Sequence, residues 1–192
     1  MNKNWNGDRD PLAALAAGNS DLFESFVGSE MGTLLGFFRR LGGSQAEIED
    51  LAQDTVVKLY RSAHLYSSSN RFEAFVFRTA RNVWIDSRRK AGIRSNLISD
   101  STEEGSAALM SIESEEREPF ESIEGVERAE MLRSAVAQLS ANHRMAFELG
   151  VMQGLPYSEV GEILGVPVGT VKSRVHNGLT KLRDILGREG FE

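Results

Sequence analysis

The sequence predicts an all-α chain of two small helical domains joined by a flexible acidic linker, and three observations carry that prediction. Apolar residues recur at helical spacing from about residue 11 to 90 and again from about 123 to 186, with no convincing two-residue alternation of strand type. Between the two stretches lies a run rich in Ser, Glu and Gly and poor in large apolar side chains. Such a run buries too little surface to offset its ordering entropy, so it is expected to be mobile. The C-terminal stretch holds a short helical pattern, a Gly-Val-Pro turn and a longer helical pattern, which is the order of a helix-turn-helix. The expected boundaries are 1–92 for the first domain, 93–122 for the linker and 123–192 for the second domain.

Each element has a local reason. Asp10-Pro11 starts a short helix, with Asp as cap and Pro at the first helical position, where its missing N–H leaves no bond unmade. Leu22, Phe23, Phe26, Leu34, Leu35, Phe37, Phe38 and Leu41 form the apolar side of a long helix that Gly42-Gly43 ends. Ser44-Gln45-Ala46-Glu47 reads as a capping box opening the next helix. That helix carries Ile48, Leu51, Ala52, Thr55, Val56, Leu59 and Tyr60 on one side, and Asp50, Gln53, Asp54, Lys58 and Arg61 on the other. A turn at Ser67 to Asn70 leads to a helix from about Arg71 to Lys90, with Phe72, Phe75, Val76, Thr79 and Val83 inward. After the linker, a helix is expected over Ile123 to Gln138, and Ser140 caps another that ends near Gly154. A short helix after Pro156 stops at Gly165. A last helix follows Val166-Pro167, with Val171, Val175, Leu179, Leu182 and Leu186 as its buried stripe.

Composition removes several function classes. No apolar run approaches the roughly 18 to 20 residues that span a bilayer, so no membrane insertion is expected. Met1 to Asp10 is polar and lacks the apolar centre of a secretory signal. The absence of cysteine excludes disulfides, thiolate metal sites and cysteine nucleophiles, and fits a reducing cytoplasm. His64, His143 and His176 form no metal-binding spacing, and no phosphate-cradling Gly-rich loop appears, so no cofactor is expected. The net charge of -6 argues against strong DNA binding by the free chain, but it hides a pattern. Residues 71–94 hold seven Arg or Lys and two acids, residues 95–130 eleven acids and two Arg, and residues 168–189 five Arg or Lys and two acids. Two basic islands therefore flank an acidic stretch.

The strongest chemical signal is YSEVGEILGVPVGTVKSRVHNGLTKL, from Tyr157 to Leu182. Gly165 permits a left-handed turn, Pro167 cannot continue the first helix, and the second helix presents Thr170, Lys172, Ser173, Arg174, His176, Asn177 and Lys181 opposite its apolar stripe. A helix with a polar, basic N-terminal half suits a major groove. The bland reading is a solvated helical hairpin that binds nothing. A second signal lies in the helix from Arg71: Arg78, Arg81, Arg88, Arg89 and Lys90 are interleaved with Phe72, Phe75, Phe77 and Trp84. Cations with aromatic platforms hold single-stranded nucleic acid, although Phe and Trp at helical spacing are more often core. A third is the face of Asp50, Gln53 and Asp54, which suits a basic protein partner or is simply solvated.

The stretches EIEDLAQDTVVKLY and FEAFVFRTARNVWIDSRRK resemble the second conserved region of extracytoplasmic-function bacterial sigma factors. LSANHRMAFELGVMQGLPYSEVGEILGVPVGTVKSRVHNGLTKLRDIL resembles their fourth region, in the right order and after a variable linker. The resemblance implies a promoter-recognition subunit of RNA polymerase without catalytic activity of its own, working in the cytoplasm. Asp50, Leu51, Gln53 and Asp54 look like the residues that dock on the clamp helices of the polymerase β′ subunit. The turn from Tyr66 to Arg71 looks like the loop that captures a flipped base of the −10 element, which Arg81, Asn82, Asp86, Arg88 and Arg89 also meet; Arg78 lies on the same basic side. Tyr157, Ser158 and Glu159, with Thr170, Lys172, Ser173 and Arg174, look like the reader of the −35 element. The implied partners are core polymerase, through β′ and the β flap, promoter DNA and an anti-sigma factor.

Two departures from the family pattern stand out. Ala74-Phe75-Val76 replaces the usual Ala-Trp-Leu, which removes an indole donor. Asn177-Gly178 replaces a common Arg-Ala pair, which removes a cation and costs the helix about 1 kcal/mol. Two weak DNA-binding modules on a tether gain effective concentration once both are mounted on polymerase, and an acidic linker would discourage DNA binding by the free chain. The competing classes are a stand-alone helix-turn-helix regulator, which binds duplex half-sites as a dimer, and a helical-bundle enzyme with a metal gathered by Asp50, Asp54 and His64.

Overall fold

Helical periodicity alone organises the chain: in this computed structural model, which describes Trp5 and residues 9–67, 71–92 and 131–188, every regular element is helical. The described residues fall into two compact units, one built on four helices before the expected linker and one on four after it. The linker beyond Gly92, the tip of the turn at 68–70 and the beginning of the helix expected from Ile123 lie outside the described residues.

The first unit begins with α1 (Pro11–Ala16). Asp10 caps it as the sequence predicts, its Oδ1 accepting from the backbone N–H of Leu12 at 3.1 Å and of Ala13 at 3.2 Å. Helix α2 (Asp21–Arg40) buries Phe23, Phe26, Leu34, Phe37 and Phe38. The core is largely aromatic. The Phe26 ring meets Phe72 edge-on at 5.0 Å and Trp5 at 6.0 Å, while Phe37 meets Phe77 at 5.4 Å. Such pairs contribute about 0.5–1.5 kcal/mol each beyond the area they bury. Trp5 also donates from Nε1 to the buried Glu30 carboxylate at 3.4 Å, and Thr33 Oγ1 donates to the other oxygen at 2.9 Å. Glu30 thus stays inside because its oxygens have donors.

Helix α3 (Gln45–Ser62) buries Ile48, Leu51, Ala52, Thr55 and Leu59. Tyr60 departs from the sequence expectation: it is 58% exposed, its ring resting beside Phe23 at 5.9 Å. The cause is helical phase, since at 100° per residue Tyr60 stands about 120° away from Ile48, whereas Ala52, Thr55 and Leu59 all fall within about 40°. A 3₁₀ turn, Ala63–Leu65, follows and packs against α1. Helix α4 (Phe72–Lys90) is the central element of this unit, burying Phe72, Ala74, Val76, Phe77, Ala80, Val83, Trp84, Ile85 and Arg88. Phe75 and Thr79, expected inward, are half-buried.

The second unit opens with α5, of which residues 131–137 are described. Ser140 caps α6 (Ala141–Phe147), which widens into a π-helical turn, Glu148–Met152, before Gly154 turns the chain with φ 69°. Arg144 reaches back from α6 to donate hydrogen bonds to carbonyls at the end of α5: its Nη2 donates to Leu139 O at 3.0 Å and also to Ala137 O. Burial holds this guanidinium below its ordinary pKa. Helices α7 (Tyr157–Leu164) and α8 (Val168–Arg188) complete the unit. Ala135, Val136, Leu139, Phe147 and Leu182 form one apolar cluster, with Leu132, Ile185 and Leu186 packed on it.

The stripe of α8 differs in one residue from the sequence expectation. Val171, Val175 and Leu182 are buried, but Leu179 is 41% exposed and Gly178 is buried in its place. Counting 100° per residue from Val171, Leu179 stands about 80° off the stripe and Gly178 only about 20°. The pattern 171, 175, 178, 182 is the better helical line, and it passes through a residue with no side chain to advertise it.

Candidate nucleic-acid interface

The helix-turn-helix is built by two glycines of different kinds. Gly165 adopts φ 71°, the left-handed region, so that α7 stops and the chain reverses toward α8. Gly161 is in ordinary helical conformation but has Val166 O so near that a Cβ would lie 2.9 Å from it, and the Val166 N–H donates to Gly161 O at 3.0 Å. The turn therefore closes directly against the helix it ends. Val160, Ile163, Val171 and Val175 are buried between the two helices.

Away from that apolar line, the N-terminal half of α8 presents polar side chains to solvent. Lys172, Ser173, His176, Asn177 and Lys181 are exposed, and Thr170 and Arg174 are half-exposed. From α7, Ser158 is exposed, with Tyr157 and Glu159 half-buried. The Tyr157 ring lies over Gly150, where a Cβ would come within 3.0 Å of its Cε1. All ten residues expected to form this surface are therefore accessible to some degree. The surface offers donors of both kinds that a duplex accepts: cations for phosphates, and hydroxyl, amide and imidazole groups for base edges.

The first unit carries two further faces. On α3, Asp50, Gln53 and Asp54 are exposed, but Leu51 is buried at 5% and lies beneath the surface it was expected to share. Val57, missed in the sequence reading, sits in the angular interval between Asp50 and Gln53 and is exposed, so the acidic face has an apolar centre. Its phase relative to Ile48 is the signal that would have found it.

On α4, Arg78, Asn82 and Arg89 are exposed, and Arg71, Arg81 and Asp86 are half-buried. Arg81 is held below its ordinary pKa, first by burial and second by the nearby charge of Arg89. Asp86 takes Lys58 Nζ at 3.4 Å and lies 4.0 Å from Arg89. Arg88 differs from the expectation of a DNA-facing cation. It is only 7% exposed, its guanidinium stands 4.3 Å over the Trp84 ring, and it forms an ion pair with Glu47 of α3. It ties α4 to α3. The aromatics of α4 are likewise mostly core, with Phe72, Phe77 and Trp84 buried and only Phe75 at the edge, 4.9 Å from the Tyr66 ring. Tyr66 itself is half-buried.

Among the described residues no three His, Asp or Glu side chains are grouped to hold a metal ion, so Asp50, Asp54 and His64 do not converge on one. Among the same residues no helix is long and apolar enough to cross a membrane.

Comparison with known proteins gives a consistent result. The family model for Sigma-70 region 2 matches residues 26–93, and that for Sigma-70 region 4 matches residues 129–182. The chain is 34% identical over 149 residues to the ECF RNA polymerase sigma factor ShbA of Streptomyces griseus, covering 74% of this chain and 73% of ShbA. It is 32% identical over 154 residues to the ECF RNA polymerase sigma factor SigE of Mycolicibacterium smegmatis, covering 80% of this chain but 57% of SigE. Among solved structures it is similar to the sigma factor RpoE from Bartonella quintana, crystallised with the anti-sigma factor NepR. That match has a TM-score of 0.66 at 25% identity, covering 86% of this chain and 96% of the other.

Proposed function

The chain belongs to the extracytoplasmic-function RNA polymerase sigma factors, and from that premise we propose how its residues divide the work of directing polymerase to a promoter. The exposed α3 face of Asp50, Gln53 and Asp54, with Val57 at its centre, docks on the β′ clamp helices. Leu51 supports that face from beneath. Arg71, Arg78, Arg81, Asn82, Asp86 and Arg89 meet the −10 element, and Arg88 acts from inside by holding α4 in place. Tyr157, Ser158, Glu159, Thr170, Lys172, Ser173, Arg174, His176, Asn177 and Lys181 read the −35 element, with the same domain resting on the β flap. The domains run 1–92 and 123–192, with 93–122 as the linker. The polymerase supplies the chemistry, so the chain is not an enzyme and takes no cofactor, and it works in the cytoplasm. An anti-sigma factor holds it inactive, as the complex of its Bartonella neighbour with NepR suggests.

The observation that carries this reading is the exposed polar and basic side of α8, standing opposite an uninterrupted buried line. A stand-alone regulator shares that feature, but the match to region 2 favours the sigma reading over it. In reconstituted transcription with core polymerase, Arg174→Ala should weaken upstream-element recognition by about 1–3 kcal/mol if it reads a base. Unchanged promoter choice would remove its role. Asp50→Ala with Asp54→Ala should lower competition for core polymerase, and equal competition would refute the docking face.

A further inference from the structure

Asp10 and α1 precede the residues matched by either family model, yet the structure seats them against Tyr66 and the 3₁₀ turn before it. The link is one carboxylate. Asp10 is 1% exposed, and it divides its two oxygens between two tasks. Oδ1 caps α1 by accepting from Leu12 and Ala13, while Oδ2 accepts from the Tyr66 hydroxyl at 2.8 Å. Fifty-six positions separate the two residues, so this is a tertiary bond. Helix α1 packs against the 3₁₀ turn that leads into Tyr66, and the Tyr66 ring meets that of Phe75 of α4 at 4.9 Å. Tyr66 is thereby held at its hydroxyl and at its ring.

We propose that Asp10 is a positioning residue for promoter recognition: it fixes Tyr66 at the edge of the surface that meets the −10 element. This rests on the reading of the first unit as the −10 element's partner. A recognition side chain works best when held in place, because any freedom left to it must be lost again when DNA is bound. Asp10 supplies that constraint from outside the residues matched by either family model. The Tyr66 hydroxyl, on this assignment, is an internal strut, and specificity at the −10 element depends on a residue that never touches DNA.

Two conservative variants isolate the bond. Tyr66→Phe deletes only the hydroxyl. Asp10→Ser keeps a good helix cap but is too short to reach Tyr66 as well. Full-length variants are assembled with core polymerase on a promoter selected by the parent holoenzyme from a random library. Opening is read by permanganate reactivity of unpaired thymines, on that promoter and on single-base variants of its −10 element. Each variant is expected to reduce the preference for the selected bases about five-fold, the range of one net hydrogen bond. The double variant is expected to be no worse than either single one, because both remove the same bond. A general loss of stability would lower opening on all templates alike and leave their ratio unchanged. Parental preference in both single variants, or effects that multiply in the double variant, overturns the inference. Arg78→Ala with Arg89→Ala serves as the reference. If this pair also leaves opening unchanged, the fault lies with the reading of α4. If the pair impairs opening while Tyr66→Phe and Asp10→Ser do not, the fault lies with Asp10 alone.

Discussion

Helices α4 and α8 both carry basic residues on a polar side, yet they are embedded to different degrees. Helix α4 buries nine residues, Arg88 among them, and Asp86 places a carboxylate among its exposed cations. Helix α8 buries a single line and leaves Lys172, Ser173, His176, Asn177 and Lys181 in solvent. The difference teaches that a basic helix acts as scaffold and reader together when neighbours surround it, and as reader alone when one side is enough to seat it. In α4, changing the buried cation Arg88 changes the packing as well as the charge. In α8 the two are separable.

The sharpest way to break this contrast is Arg88→Ala set against Lys172→Ala. Arg88→Ala removes the charge-assisted bond to Glu47 and the stacking on Trp84, and should cost about 2–3 kcal/mol of stability in urea titration. Lys172→Ala should change stability by no more than about 0.5 kcal/mol while weakening DNA binding. Equal losses would erase the distinction. Next in size, Gly161→Val tests whether α8 depends on the turn that aims it. A side chain there meets Val166 O, and overpacking of this kind costs about 1–3 kcal/mol; an unaltered urea midpoint would show that the turn yields freely. The smallest effect is a gain. At Gly178 a Cβ would find its nearest neighbours, in His143 and Leu139, at 3.8 Å, an ordinary contact distance. Gly178→Ala should therefore stabilise the second unit by about 1 kcal/mol through helix propensity, read as a raised melting temperature. A lowered melting temperature would show that the line through α8 is closed to even one methyl group.

Most of the architecture was legible because it rests on local rules. Asp10-Pro11, Ser140, Pro156 and Gly165-Val166-Pro167 each marked a boundary that the structure keeps. The basic side of α8 was equally legible, being what remains once the apolar line is drawn. Errors arose where a residue type misstates its surroundings. Leu179 and Tyr60 are apolar enough to be counted inward, but their helical phase turns them out; Gly178 has no apolar side chain and lies inward. Arg88 and Glu30 are charged and buried beside partners from another element or another turn, and partners at such separations leave no periodic trace. Trp5 is the extreme case, a lone aromatic in a polar segment that meets Phe26 and Glu30, more than twenty positions away.

The position of Asp86 bears on how the two units respond to ionic strength. A carboxylate shared between Lys58 and Arg89 already supplies part of the counter-charge those cations would otherwise offer to phosphates. Fewer condensed ions are then displaced from a nucleic acid that lies along α4 than from one that lies along α8, where each engaged Lys or Arg contributes about 0.9 to the slope of log affinity against log salt. Rising salt would loosen a nucleic acid held along α8 first. A contact along α4, being less dependent on released ions, would persist longest.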